Sequence, residues 1–193
     1  MSLIPAFKIG LWNAWIIIVL SFLTSIIPSL INKEVSARGM EKWKDFTKTE
    51  KIVVLITHAL VGPALVIYSI FLPLKIGTVW FYVGIPICFM SLVMNLMAGV
   101  AFATTPLDEL VTKGVYSISR HPAYLGGFLQ YVGIGIACAS WISLLCAVVW
   151  IISFSIGVID EERFLLENYG KAYREYMNRT PRWIGIPKSK KKL

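Results

Sequence analysis

The sequence predicts an all-α integral membrane protein of about five transmembrane helices, the last two a tight helical hairpin followed by a cytosolic amphipathic helix. Three observations predict it. Hydrophobic residues make up 56 % of the 193-residue chain and charged residues only 16 %. A soluble domain of this size lacks the interior to hide so much apolar surface. Uncharged stretches recur at the length of a bilayer span, roughly 20 residues, and the basic residues collect between them in short loops.

The stretches can be taken in order. Gly10–Ile31, Ile52–Leu74 and Gly77–Phe102 carry no formal charge, and form three N-terminal spans within residues 1–102. The first is expected to stay as a helix rather than be cleaved as a signal, because it has full span length and no small-residue cleavage pattern after it. Pro122–Ile159 runs for 38 residues without a charge. That is nearly two spans, and Ala139-Ser140 offers a turn, so the reading is Pro122–Cys138 followed by Trp141–Ile159. His58, Asn95 and Gln130 inside spans read as interfacial or interhelical hydrogen-bonding groups. Cys88, Cys138 and Cys146 all fall within spans at no metal-ligand spacing, and read as reduced core residues. No metal is expected.

Charge sets the topology. With the N-terminus outside, an inner loop holds Lys33, Arg38, Lys42, Lys44, Lys48 and Lys51, and a second holds Lys113 and Arg120. The C-terminal segment from Arg163 to Lys192 holds nine more, which leaves only Lys8 and Lys75 outside. A four-span chain would split the two largest basic groups across the bilayer. The net charge of +8 then belongs to a cytosolic face that attracts anionic membrane lipids. Nucleic acid is not the expected partner, because these residues flank spans and no base-stacking module is present. The Lys188–Lys192 run reads as a solvated tail.

Polar residues concentrate in two segments, Leu110–Gly126 and Asp160–Arg182. The hairpin joins them, so both lie at its inner end. In the first, Pro122 suits the first helical position. That places Arg120 and His121 at a helix N-terminus, where they either anchor the helix at the headgroups or help to hold an anion. Ala123 and Gly127 form a small-xxx-small pair for helix packing. In the second, Asp160, Glu161 and Glu162 are expected in the first turn of an amphipathic helix, where acids complement the dipole. Leu166, Tyr169, Tyr173 and Tyr176 share one face, as core packing or as the wall of a cofactor site. Arg163 and Glu167 are one turn apart and can pair, although Arg before Glu is the weaker order.

Together these segments resemble the C-terminal core of the isoprenylcysteine carboxyl methyltransferase family, a core shared with phospholipid N-methyltransferases and more distantly with sterol reductases. The residues that carry the resemblance are Gly114-Val115-Tyr116, Arg120-His121-Pro122-Ala123-Tyr124 with Gly126, then Glu161-Glu162-Arg163, Leu165, Gly170, Tyr173, Tyr176, Pro181 and Arg182, over about residues 108–187. The size and span count are similar to a small prokaryotic-type member. The resemblance implies S-adenosyl-L-methionine as cofactor, bound on the cytosolic side. It implies a pocket lined by Leu110, Val111, Tyr116, His121, Pro122, Ala123 and Tyr124, with Glu162 as a further contact. No Gly-x-Gly-x-x-Gly in strand–turn–helix context is present; Gly133-Ile134-Gly135 lies inside an apolar span.

Methyl transfer from a sulfonium asks an enzyme to position reactants and exclude water. The implied acceptor, the α-carboxylate of an isoprenylcysteine, is already ionised and needs a cation rather than a strong base. Eukaryotic members place an arginine just ahead of the acidic run, where this chain has Gly157 and Ile159, so that role is expected of Arg163, with Glu167 orienting it or acting as base toward an amine. The lipophilic tail would enter from the bilayer. The alternatives are a phospholipid or other small lipophilic acceptor, or an NADPH-dependent sterol-type reductase.

Overall fold

A computed structural model of the chain describes residues 8–33, 47–55 and 62–185. Among them the regular structure is helical: α1 (Trp15–Ile31), α2 (Lys48–Leu55), α3 (Gly62–Ile70), α4 (Val79–Thr104), a 3-10 turn (Gly114–Ser117), α5 (Pro122–Ala137) and α6 (Trp141–Arg179). His58 and the Lys188–Lys192 tail lie outside the described residues.

Two of these helices, α4 and α6, are long and apolar enough to cross a membrane, and only 17 % and 22 % of their most apolar windows are buried inside the chain. The core helix of a soluble protein would be mostly covered. On α6 the exposed residues Leu145, Val148, Val149, Ile152, Ile156 and Ile159 recur at helical spacing and form an apolar stripe. An aqueous surface does not sustain such a patch; hydrocarbon does.

The tightest packing joins α4 to α5, and small residues make it. A Cβ on Gly133 would come within 2.6 Å of Cys88 Sγ and 2.8 Å of the Cys88 backbone nitrogen, and one on Gly84 would strike the Ala137 backbone. Seven residues before Gly133, Gly126 faces Asn95 and its carbonyl accepts from Ser91 Oγ at 2.7 Å. Gly127 faces Trp150 of α6 instead, so its small side serves a different neighbour. Gln130 Nε2 donates to Ser21 Oγ and ties α5 to α1.

One end of the bundle is closed by hydrogen bonds. Asn13 Nδ2 donates to the carbonyls of Lys8 and Ile70 at 2.6 and 2.7 Å. Ala14 N–H donates to Leu72 O, and Lys75 N–H to Ala137 O, both at 2.9 Å. These bonds bend residues 8–13 away from helix, so α1 starts at Trp15 rather than Gly10. Between α5 and α6 the chain reverses in three residues, with Ala139 at φ 52° and Ser140 capping α6 by accepting from Ser143 N–H. Contacts between the two helices run in opposite order, from Gly135 against Leu144 to Tyr131 against Trp150 and Tyr124 against Phe154.

One expectation fails here. No new helix begins at Asp160: α6 continues unbroken from Trp141 until Gly170, whose φ of 49° and ψ of −116° interrupt it. A change from apolar to charged side chains does not stop a helix, whereas a left-handed glycine does. Asp160, Glu161 and Glu162 are therefore mid-helix, and the dipole does not account for them.

Gly133→Val should destabilise the protein by about 1–3 kcal/mol, the cost of overpacking a closed contact, read as a lower unfolding temperature in detergent. An unchanged midpoint would show that the α4–α5 seam has slack.

Candidate active site

The opposite end of the bundle gathers the polar segments around one carboxylate. Glu162 is 3 % exposed. Arg182 grips it with Nε to Oε1 at 3.2 Å and Nη2 to Oε2 at 2.6 Å. Arg120 Nη2 lies 3.2 Å from Oε1, and His121 Nε2 is also 3.2 Å from that oxygen. Burial alone would raise the carboxyl pKa, but hydrogen bonds from His121 and Arg182 and the Arg120 charge outweigh it and hold the group at about 2. The same bond raises the Arg182 pKa.

Backbone bonds fix the segments that supply these groups. Arg120 N–H donates to Pro181 O at 3.0 Å. Ser119 Oγ donates to Arg182 O at 3.2 Å and accepts from His121 N–H at 3.1 Å. Tyr176 Oη donates to Tyr116 O at 2.6 Å. Loop, long helix and C-terminal arm thus form one unit. Gly114, at φ 61°, opens the 3-10 turn that aims Tyr116 inward.

Two cavities meet at this unit. The larger, about 1020 Å³, lies among α1, α3, α4, α5 and α6, and its lining is mostly apolar, including Ile18, Phe22, Val66, Ile67 and Trp150. The smaller, about 390 Å³, is lined by Asp108, Glu109, Leu110, Val111, Phe164, Asn168, Tyr169, Tyr173 and Tyr176 among others. Phe102, Tyr116, Arg120 and Glu161 border both. Glu161 accepts from Tyr124 Oη at 2.8 Å and lies 3.7 Å from His121 Nδ1.

The residues expected at the cofactor pocket divide accordingly. Leu110, Val111 and Tyr116 line the smaller cavity; His121, Ala123, Tyr124 and again Tyr116 line the larger. Pro122 is buried as the first residue of α5 and Glu162 is buried in the ionic cluster, so both stand behind the walls. Arg163 and Glu167 are not brought to either cavity. Arg163 is 51 % exposed and pairs with Asp160 at 2.7 Å, and Glu167 is exposed. An α-helix turns 100° per residue, so directing Glu162 at the loop sends Arg163 outward. Of the tyrosine stripe, Tyr169, Tyr173 and Tyr176 form cavity wall.

Two roles were not read from the sequence: Glu161 rather than Glu162 faces the cavities, and Arg182 is the main partner of Glu162. Arg120, read from the sequence as an anchor or an anion contact, borders both spaces. The offset between adjacent helical residues was available as a signal for the first. Nothing local pointed to the 20-residue link from Glu162 to Arg182.

A helical chain with lipid-suited faces, in which a mostly apolar cavity and a smaller, more polar one share four lining residues, has the outline of a membrane-embedded protein. Comparison with known proteins narrows this. The family model described as phospholipid methyltransferase matches residues 60–172, and the chain belongs to that family. It is similar to protein-S-isoprenylcysteine O-methyltransferase B of Arabidopsis thaliana, 38 % identical over 81 residues covering 41 % of this chain and 40 % of that protein. Protein-S-isoprenylcysteine O-methyltransferases of Schizosaccharomyces pombe and Saccharomyces cerevisiae are 35 % and 40 % identical over 80 residues, 40 % of this chain and 33 % and 32 % of theirs. The matches therefore span at most two fifths of these relatives.

Glu162→Gln should cost about 3–5 kcal/mol, the effect of stripping one partner from a buried ion pair. Because the folded carboxyl is held at about 2 against an ordinary 4.5, its stabilisation is complete above pH 4.5 and is lost as pH falls through 2. Unfolding midpoints measured across that window should fall for the unaltered protein and vary less for the variant. Parallel pH curves would contradict the assignment.

Proposed function

We propose that this chain is an integral membrane methyltransferase that uses S-adenosyl-L-methionine to methylate the α-carboxylate of an isoprenylcysteine-type acceptor. The observation that carries the reading is the meeting of a large apolar cavity and a small polar one at Phe102, Tyr116, Arg120 and Glu161. Family membership and the named relatives support it. In this reading 1–193 is one membrane domain of five spans, with α3 in the second and α5–α6 as the hairpin. Residues 108–187 form the methyltransferase core, and the site and C-terminus face the cytosol.

The smaller cavity suits the cofactor. Its volume falls within the usual range for small-ligand sites, and Asp108, Glu109 and Glu161 give its wall an acidic excess over Arg120. Such a wall favours a ligand bearing sulfonium and ammonium charges and disfavours the phosphates of NADPH. The bound cofactor supplies an electrophilic methyl group. The chain supplies position: Glu161 offsets the cationic charge at the junction, Tyr116 and Phe102 border the passage between ligands, and the apolar cavity receives the isoprenoid tail from the bilayer. An ionised carboxylate needs no deprotonation, so water exclusion and alignment account for most of the task. In this arrangement Arg163 and Glu167 are outside the reaction space and Glu161 takes the ionic role toward the ligands. The description of the matching family favours one second reading, a phospholipid amine as acceptor, for which Glu161 is the carboxylate available as base.

Labelled methyl transfer by the purified protein tests this. N-acetyl-S-farnesylcysteine should be methylated in preference to phosphatidylethanolamine. Glu161→Gln should lower the rate roughly 10²-fold, the order seen when one electrostatic group is removed from an active site, while Arg163→Ala and Glu167→Ala stay near the unaltered rate. Methylation of the phospholipid alone would move the assignment to the second reading. Thermal stabilisation by NADPH and not by S-adenosylhomocysteine would reject methyl transfer.

A further inference from the structure

Arg120 holds more hydrogen-bonding capacity than the ionic cluster uses. Its side chain is 9 % exposed, and only Nη2 has a partner there; Nε and Nη1 are buried with none. Glu162 does not need those groups, since Arg182 already meets both of its oxygens. Tyr173 presents a second case. It is 1 % exposed, and its hydroxyl is likewise buried without a partner. Both residues border the smaller cavity, and Arg120 also borders the larger. Burial raises the Tyr173 hydroxyl pKa, and the nearby charges of Glu162, Arg120 and Glu161 act on it as well. Burying unpaired donors, one of them charged, is costly unless something else accepts from them.

We infer that Arg120 Nε and Nη1, together with the Tyr173 hydroxyl, form a carboxylate-binding site at the junction of the two cavities. The inference rests on the methyltransferase reading and deepens it. A carboxylate offers acceptor lone pairs and a single negative charge, which match an arginine's free N–H groups and a neutral hydroxyl. A doubly charged phosphate is the poorer fit, because Glu161 stands at the same junction. The site is held in place from behind: Arg120 N–H is bonded to Pro181 O, and its Nη2 to Glu162. Arg120 thus belongs both to the structural cluster, through Nη2, and to the walls of the two cavities, with Nε and Nη1 left over for a ligand.

Methyl transfer to an isoprenylcysteine brings two carboxylates to this place, the amino-acid end of the cofactor and the acceptor itself, and binding measurements separate them. Full-length protein in nanodiscs is titrated with S-adenosylhomocysteine and its decarboxylated analogue in one arm. The other arm uses N-acetyl-S-farnesylcysteine and its carboxamide. The unaltered protein should prefer the carboxylate-bearing ligand by about tenfold or more in at least one arm, the range for hydrogen bonds to charged groups. Tyr173→Phe, which removes one oxygen and keeps the ring, and Arg120→Lys, which keeps the charge beside Glu162, should each shrink that ratio severalfold in the same arm. The arm that responds names the source of the carboxylate. A purely structural role would weaken both members of a pair equally and leave the ratio alone. Ratios unchanged by both variants in both arms, or no preference for a carboxylate in the unaltered protein, would overturn the site. Failure of the unaltered protein to bind either adenosyl ligand would instead count against the methyltransferase reading, and the acceptor arm would still decide the site.

Discussion

The buried charge on Glu162 is the constraint around which this end of the molecule is organised. A carboxylate removed from water is costly unless cations and hydrogen-bond donors surround it. Here the donors come from two separate stretches, Arg120 and His121 from the loop before α5 and Arg182 from the arm after α6, and they meet the carboxylate on a third, α6. Neutralising one charge therefore sets the relative positions of all three. The polar walls of both cavities follow from it, because Tyr116, Arg120, His121 and Glu161 are adjacent in sequence or in space to the residues that make the cluster.

The apolar part of the fold serves this end from a distance. Glycines on α4 and α5 let the two backbones approach closely, and the hydrogen bonds at the far end hold α1 and α5 to the 70–75 turn. The larger cavity is walled by residues of α1, α3, α4, α5 and α6. Helix association in lipid depends on such close packing and on interhelical hydrogen bonds, since the surrounding medium is as apolar as the side chains. The same helices turn their larger aliphatic residues outward. Packing inside and lipid outside are thus two uses of one composition.

Much of this was legible from periodicity and local chemistry. The long uncharged stretches became α1, α4, α5 and the first part of α6, and the reversal fell at Ala139-Ser140, where a small residue and a capping serine stand together. The Pro122 start of α5 and the shared face of Tyr169, Tyr173 and Tyr176 follow from rules that act within a few residues. What escaped depends on distance or on rotation. Charged residues after Ile159 read as a new helix, yet nothing there interrupts hydrogen bonding until Gly170. The roles of Glu161, Glu162 and Arg163 turn on which one faces the loop, and that is set by Arg182 twenty positions away. Pairings of this kind arise from tertiary packing and leave no local pattern.

The link between Glu162 and Arg182 is the most direct place to test whether one ionic cluster assembles the site. A double-mutant cycle with Glu162→Gln and Arg182→Gln, read both as unfolding free energy and as affinity for S-adenosylhomocysteine, isolates their coupling. The account predicts a coupling of about 1–3 kcal/mol in stability, as for contacting residues in a shared network, together with a non-additive loss of affinity. Additive effects on both readouts would mean that loop and arm are held apart from Glu162, and that the cavities do not owe their junction to it.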